Sequence, residues 1–371
     1  MGRTGMADLP LHGGHCPPWL FDRMKRLAGA LLEAIVLEFG PVEVLRRLSD
    51  PVWFQALGSL LGFDWHSSGL TTTVCGAIKE AVQERGDGLG FFVAGGKGKR
   101  SLQTPREILE AGERYGLPQE TSQLAEVSRL VAKIDSAGLQ DGFDLYHHTF
   151  FFTADGRWAV IQQGLQDATG WARRYHWLDE GAGDFVSDPH GAVVGRRQGM
   201  VLNLVAAEGK DHQVALLALA QERSERVVQT YRSLLESLEK GRAPEGVQRY
   251  LKLPGTHAIP QAKTLEKSFL ALYDRRFSHY REIFQVPGVG PQGFRALSMV
   301  AEVLYGVPAS FRDPVRYAFA HGGKDGHPFP VRRDVYDHST AFLEEAIRKA
   351  RLGQTEKMEL LKRLAALQGG S

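Results

Sequence analysis

Asp144, His147 and Gln163 stand on two runs of strand-forming residues, Tyr146 to Ala154 and Arg157 to Gln163, on either side of Asp155-Gly156. Asp-Gly between two such runs signals a hairpin, because both residues tolerate the positive φ of a tight turn. A carboxylate, an imidazole and an amide on adjacent strands, with Lys133 upstream, can bind a divalent ion and orient a water for phosphodiester hydrolysis. Asp144, His147, Gln163 and Lys133 are therefore the candidate catalytic set, with Asp144 and His147 as ligands for Mg or Mn. Asp135, Asp141, His148 and Gln162 lie in the same stretch. Alternation puts His147 and His148 on opposite faces of their strand, so at most one shares a face with a given partner on the next strand. The alternative is a hydrogen-bond network that only holds the strands together.

Two further segments read as phosphate-binding. Gly95-Gly-Lys-Gly-Lys-Arg-Ser101 follows a strand run, Leu89 to Val93, and precedes Thr104-Pro-Arg-Glu107. There Thr104 is read as an N-cap, Pro105 as the first helical residue and Glu107 as the reciprocal cap. Lys97, Lys99 and Arg100 on such a loop can hold a nucleic-acid phosphate or a phosphorylated ligand. The spacing is not that of a P-loop, and a solvated surface loop is the alternative. The second segment is Val286-Pro-Gly-Val-Gly-Pro-Gln-Gly-Phe-Arg-Ala-Leu297, between helix-like Tyr280 to Phe284 and the helical spacing of Val300, Val303 and Leu304. It resembles the helix-hairpin-helix motif, which implies DNA binding without sequence preference through Gly288, Gly290, Gln292 and Arg295. Glycines let the backbone approach closely, and free amides at a helix start can donate to a phosphate oxygen from outside. Phe294 stands where the motif has a small residue, and a tight turn between packed helices is the competing reading. The order from Asp313 to Asp334 resembles helix-hairpin-helix DNA glycosylases. Gln292 and Arg332 occupy the positions nearest the catalytic lysine and aspartate of those enzymes, which implies binding without base excision unless Asp334 or Asp337 substitutes. The hairpin with its acidic residue and amides resembles, loosely, nuclease cores.

Smaller constellations carry less. His12, His15 and Cys16 sit in a Gly-Gly turn that permits a metal or merely a bend. Cys75 opens an apolar helical stretch, where a helix start would favour its thiolate; a buried inert thiol is the alternative. Arg173-Arg174-Tyr175-His176-Trp177 mixes cations with aromatics as a nucleic-acid surface does, or as a half-buried strand end does.

The elements that must position these residues are legible in outline. Apolar residues from Trp19 to Leu61 recur at helical spacing, broken at Gly40-Pro41 and Asp50-Pro51. Strand patterns fill the middle, and Asp211 to Lys240 reads as one long amphipathic helix. The expected fold is α+β and mostly helical. An α+β domain spans 1–242 (helical 1–85, β-containing 86–200, long helix 211–240), followed by a linker at 243–260. A helical module spans 261–371, with the helix-hairpin-helix at 280–305.

With 371 residues, 43% of them apolar and 24% charged, disorder is excluded. Lys and Arg total 45 against 43 Asp and Glu, a net charge of +2. A protein that coats nucleic acid by bulk charge is therefore excluded, and local clusters must do the binding. Two cysteines are too few for a disulfide framework or a four-thiolate zinc site. No apolar run approaches the ~18 residues of a membrane span, and the first residues lack a signal peptide's apolar core, so a cytoplasmic protein with no membrane partner is expected. Taken together, Gly5 to Leu20, Asp50-Pro-Val-Trp-Phe-Gln55, Ser68 to Thr73, Gly95 to Lys99, Gln140 to His148 and Ile161-Gln-Gln-Gly164 resemble an uncharacterised prokaryotic family, domain of unknown function 763. That resemblance implies no reaction. The leading expectation is a DNA-processing or repair-associated protein that binds duplex or structured DNA, with metal-dependent nuclease activity. The alternatives are a non-catalytic DNA-binding adaptor and an enzyme on a small phosphorylated metabolite.

Overall fold

The computed structural model describes residues 16–63, 68–117, 121–242, 244–253, 259–315, 333–350 and 352–368. Proline and glycine set the first helix boundaries where the sequence places them. Helix α1 (Pro18–Phe39) stops at Gly40, whose φ of 83° suits glycine, and α2 (Pro41–Ser49) restarts on a proline that needs no amide partner. Helix α3 (Pro51–Leu60) is capped by Asp50, which accepts from the amides of Val52 at 2.8 Å and Trp53 at 3.1 Å. Helix α4 (Gly69–Arg85) then leads through a short 3-10 turn into β1 (Phe91–Lys97). The strand runs beyond the expected Leu89 to Val93, so Gly95, Gly96 and Lys97 are paired backbone.

After β1 come α5 (Thr104–Tyr115), α6 (Thr121–Lys133), the short β2 (Leu139–Gln140), β3 (Asp144–Thr153), β4 (Trp158–Gln166) and β5 (Trp171–Leu178). The one-turn α7 (Asp179–Ala182), β6 (Ala192–Val194) and β7 (Leu202–Asn203) follow. Strands β1, β3, β4, β5 and β6 form an antiparallel sheet in the order β1-β3-β4-β5-β6, and β2 pairs with β7 separately. The β3–β4 hairpin turns at Asp155-Gly156 as expected, with Gly156 at φ 81°.

Both faces of the sheet are buried. Phe91, Phe151, Ala159 and Ile161 pack with α1 to α4, and Phe92, Phe150, Phe152, Val160, Tyr175 and Trp177 pack into a second, larger core. A strand buried on both faces reads as a continuous apolar run, which explains Phe150-Phe151-Phe152: successive side chains enter different cores. Helices α5, α6, α8 (Lys210–Ala220), α9 (Ser224–Glu239), the one-turn α10 (Glu245–Gln248), α11 (Ala262–Tyr273) and α12 (Pro291–Tyr305) belong to the second core. Helices α13 (Arg333–Lys349) and α14 (Gln354–Gln368) return to the first, packing on α1 and α3. The chain is α+β and mostly helical. The long helix expected over 211–240 is two, broken at residues 221–223. Apolar positions keep their spacing across the break because α8 and α9 both face α12 in the same core, so periodicity carries no mark of the bend.

Strand β5 is the internal tie. Arg173 is fully buried: its Nη1 donates to Asp141 at 2.9 Å and its Nη2 to Asp313 at 2.8 Å and to the carbonyl of Arg196 at 2.8 Å. Tyr175 donates to the same Asp141 at 2.8 Å. Burial alone would lower the pKa of the guanidinium, but the carboxylates of Asp141 and Asp313 outweigh burial and raise it. Removing one partner of a buried pair leaves an uncompensated charge, at a cost of about 3–5 kcal/mol. Asp313→Ala should lower unfolding free energy by about that amount in urea denaturation, and a loss under about 1 kcal/mol would show that the ion cluster is not a tie.

Candidate functional site

Lys97 lies in register with His147, His147 with Gln163, and Gln163 with Arg174, so four strands contribute one row across the sheet. The basic loop and the predicted hairpin residues therefore meet. Beyond Lys97 the chain makes a 3-10 turn, Gly98 to Gln103, with Lys97, Lys99 and Arg100 all exposed. None of the three forms an ion pair with a described residue. The loop is anchored at its base. Lys79 of α4 donates to the Gly95 carbonyl at 2.7 Å and to Glu107 at 2.6 Å, and Glu107 accepts from the Gly95 amide at 2.7 Å. Gly95 has φ +91°, and a Cβ there would sit 2.2 Å from the His148 carbonyl oxygen, so only glycine fits. The expected capping box is absent: Thr104 donates to the Ser101 carbonyl at 2.7 Å, and Glu107 serves the strand and Lys79 instead of an N-cap amide.

The row continues inward under α3 and α4. Gln163 donates to the Ser68 carbonyl at 2.9 Å and to the Tyr146 hydroxyl, while the Thr149 hydroxyl is 2.9 Å from His147 Nε2. Arg174 is fully buried and donates to Gln55 at 2.9 Å, Thr71 at 3.3 Å and His176 Nε2 at 2.8 Å. His176 can accept there because its Nδ1 faces the Leu48 carbonyl at 3.1 Å and carries the proton. No described carboxylate pairs with Arg174. Burial pulls its pKa down to about 9, which leaves it cationic at neutral pH. His147 Nδ1 and Gln163 Oε1 are buried without a hydrogen-bond partner among the described residues. Such groups cost about 1–3 kcal/mol each, so the row carries polar cost that the fold does not return.

The opposite face is closed. His148 Nε2 meets Ser128 at 2.8 Å and its Nδ1 meets Gln162 Oε1 at 2.7 Å; Gln162 in turn donates to Asp135. Asp135 also accepts from Trp177 at 2.9 Å and bonds His190. It sits in a π-helical turn, Ile134 to Gly138, that ends α6. Every group there is partnered and buried, as a structural network requires.

The candidate catalytic set is not brought together. Asp144 is exposed at the start of β3, beyond a bulge between Leu145 and His147. Lys133 is at the end of α6, which packs on the face of Phe150 and Phe152, away from His147 and Gln163. Among the described residues no group of three or more His, Cys, Asp or Glu converges as a metal ion needs. Asp144 and His147 do not form a donor pair for Mg or Mn: one is in solvent, the other is inside with Nε2 already on Thr149. Cys75 lies mid-helix in α4, fully buried, and burial pushes its thiol up to about 12, the environment of a buried inert thiol and not of a helix start. Arg173 to Trp177 form a buried central strand, not a nucleic-acid surface. His12, His15 and Arg332 lie outside the described residues, as do the side chains of Asp334 and Asp337; Cys16 is a free thiol.

The Val286–Gly290 turn precedes a regular helix, α12, but the segment before it, Tyr280 to Gln285, is a short 3-10 helix and not an α-helix. Gly288 has φ +80° and is exposed, and Gly290 is extended, a conformation any residue adopts. Gln292 is exposed. Arg295 points inward at 2% exposure, its Nε donating to Gln140 at 3.0 Å, while Gln140 donates to the Pro291 carbonyl at 2.8 Å. Phe294 is buried and stacks on Phe284 at 4.7 Å. The expected charged contact from Arg295 is thus a structural bond that ties α12 to β2.

A family model described as protein of unknown function (DUF763) matches residues 5–331. The chain belongs to that family. No curated protein and no solved structure matches it. Several segments that carry the DUF763 resemblance converge here. Gln55, Ser68, Thr71, His147 and Gln163 all line the polar row, and Lys97 opens it. Sequence reasoning did not assign Arg174, Gln55 and Thr71 to the site; the signal was alternation in Trp171 to Leu178, which puts Arg174 and His176 on the face of Gln163.

Burial holds His147 down to about 3 and His148 down to about 4, against 6.5 ordinarily, so both are neutral in the folded protein at neutral pH. Lowered folded values mean that the unfolded chain takes up protons first as pH falls below 6.5, and stability falls with it until the folded values are reached. At pH 5 each histidine should cost about 2 kcal/mol relative to pH 7.5. Urea midpoints at the two pH values check this, and a His148→Gln variant should be less acid-sensitive than the parent.

Proposed function

We propose that this protein binds the phosphate groups of nucleic acid through the basic loop at the end of the sheet, as a DNA-binding partner without cleavage of its own. The single observation behind this is the set of three exposed cations, Lys97, Lys99 and Arg100, without a carboxylate partner among the described residues, on a loop clamped by Lys79 and Glu107. Several surface cations elsewhere are paired: Arg46 and Arg157 with Glu180, Lys25 with Glu84, Arg232 with Glu266. In a chain with a net charge of +2, unpaired cations concentrated at one ordered place are what a local anion site needs. A clamped loop also loses little freedom on binding, which favours affinity. A nuclease reading would need Asp144, His147, Gln163 and Lys133 in one place, and they are divided between solvent, interior and the two faces of the sheet.

Fluorescence anisotropy with a labelled duplex across a salt series tests the proposal. The Lys97→Ala/Lys99→Ala/Arg100→Ala variant should bind more than about tenfold more weakly at low salt, with the slope of log affinity against log salt reduced by about 1 for each phosphate no longer held. Unchanged affinity and slope in that variant would sink the loop. With magnesium or manganese the duplex should stay intact, whereas manganese-dependent cleavage that Asp144→Ala abolishes would restore the nuclease reading.

A further inference from the structure

A cleft of about 400 Å³ lies between α6 and the turn before α12, lined by Glu126, Arg129 and Lys133 on one side and by Phe284, Gln285 and Pro287 on the other. Arg129 and Lys133 are one helical turn apart and face the cleft together. Neither side chain has a hydrogen-bond or ion-pair partner among the described residues. Arg129 is exposed, whereas Lys133 is half-buried. Burying part of an ammonium group without a partner is unfavourable and lowers the lysine pKa. Glu126, exposed at the rim, is the only described carboxylate lining the cleft and leaves it with an excess of one positive charge.

Helix α6 also touches the basic loop's end of the sheet: Ser128, adjacent to Arg129, meets His148, the registered partner of Gly96. One helix therefore leads from the loop to the cleft. We propose that Arg129 and Lys133 hold a second phosphate group of the nucleic acid whose first contact is the loop, a proposal that rests on the function inferred above. The turn before α12 takes part, but its charge comes from α6 and not from Arg295, which points into the core. Lys133, read from sequence as catalytic, is assigned here to phosphate binding.

The same duplex-binding assay on the full chain decides it. Arg129→Gln/Lys133→Gln should weaken binding about tenfold at about 100 mM salt and reduce the salt slope by about 1. Glu126→Gln should strengthen binding about two- to fivefold, an effect that damage to the fold cannot imitate. If Arg129→Gln/Lys133→Gln binds as the parent does while the loop variant is weakened, the cleft proposal fails and the loop reading stands. If the parent binds no duplex at low salt, both fall. If inorganic phosphate shields Lys133 from amine modification but the duplex does not, the cleft serves a small phosphorylated ligand and the nucleic-acid contact proposed here is overturned.

Discussion

The five-stranded sheet is covered by helices on both faces, so a polar side chain anywhere along its interior must find its partner inside the protein. That constraint organises the molecule. On one face it is met almost throughout: His148, Gln162, Asp135, Trp177, His190 and Ser128 bond one another, and Arg173 is neutralised by Asp141 and Asp313, with only its Nε lacking a described partner. These bonds join α6, β3, β4 and β5 to one another and to the segment around Asp313, 140 residues beyond Arg173. The network thus fixes how the helical layers sit on the sheet as well as satisfying charge.

On the other face the same rule is met only in part. Arg174 has hydrogen bonds but no described carboxylate, and one atom each of His147 and Gln163 has no described partner. The difference between the faces matters because both rows come from the same strands and the same alternation. With two unpartnered atoms and a guanidinium that has no described carboxylate, against one unpartnered atom on the other side, this face is where the fold gives up more stability. Its outer end is Lys97, where the chain leaves the sheet as an ordered basic loop.

The α12 turn illustrates how packing overrides a motif. The residues after Pro291 form a helix that is buried from Gly293 to Ala301. Phe294 and Arg295 therefore face Phe284 and Gln140, and the cation that a phosphate-binding hairpin would display is consumed inside. Of the residues read as phosphate-binding in that segment, Gly288 and Gln292 are the exposed ones, and charge near it is supplied by α6.

Much was determined locally. Gly40-Pro41, Asp50-Pro51 and Asp155-Gly156 act on φ, on missing amides and on caps, which depend on neighbouring residues alone, and each break is where the sequence puts it. The α+β class and the opposite facing of His147 and His148 follow from periodicities of the same short range. The break between α8 and α9 was not legible, because both helices face one core and keep one apolar spacing. Nor was the site. Asp144, His147, Gln163 and Lys133 are polar residues close in sequence, but burial of both sheet faces sends them to solvent, to interior and to opposite sides. Arg174 meets Gln55 and Thr71 across more than a hundred residues, a pairing set by how helices cover the sheet. Sequence by itself determined which residues could carry charge or a proton; tertiary packing decided which had a partner inside and which were left facing out, because desolvation depends on what covers a residue and not on what precedes it.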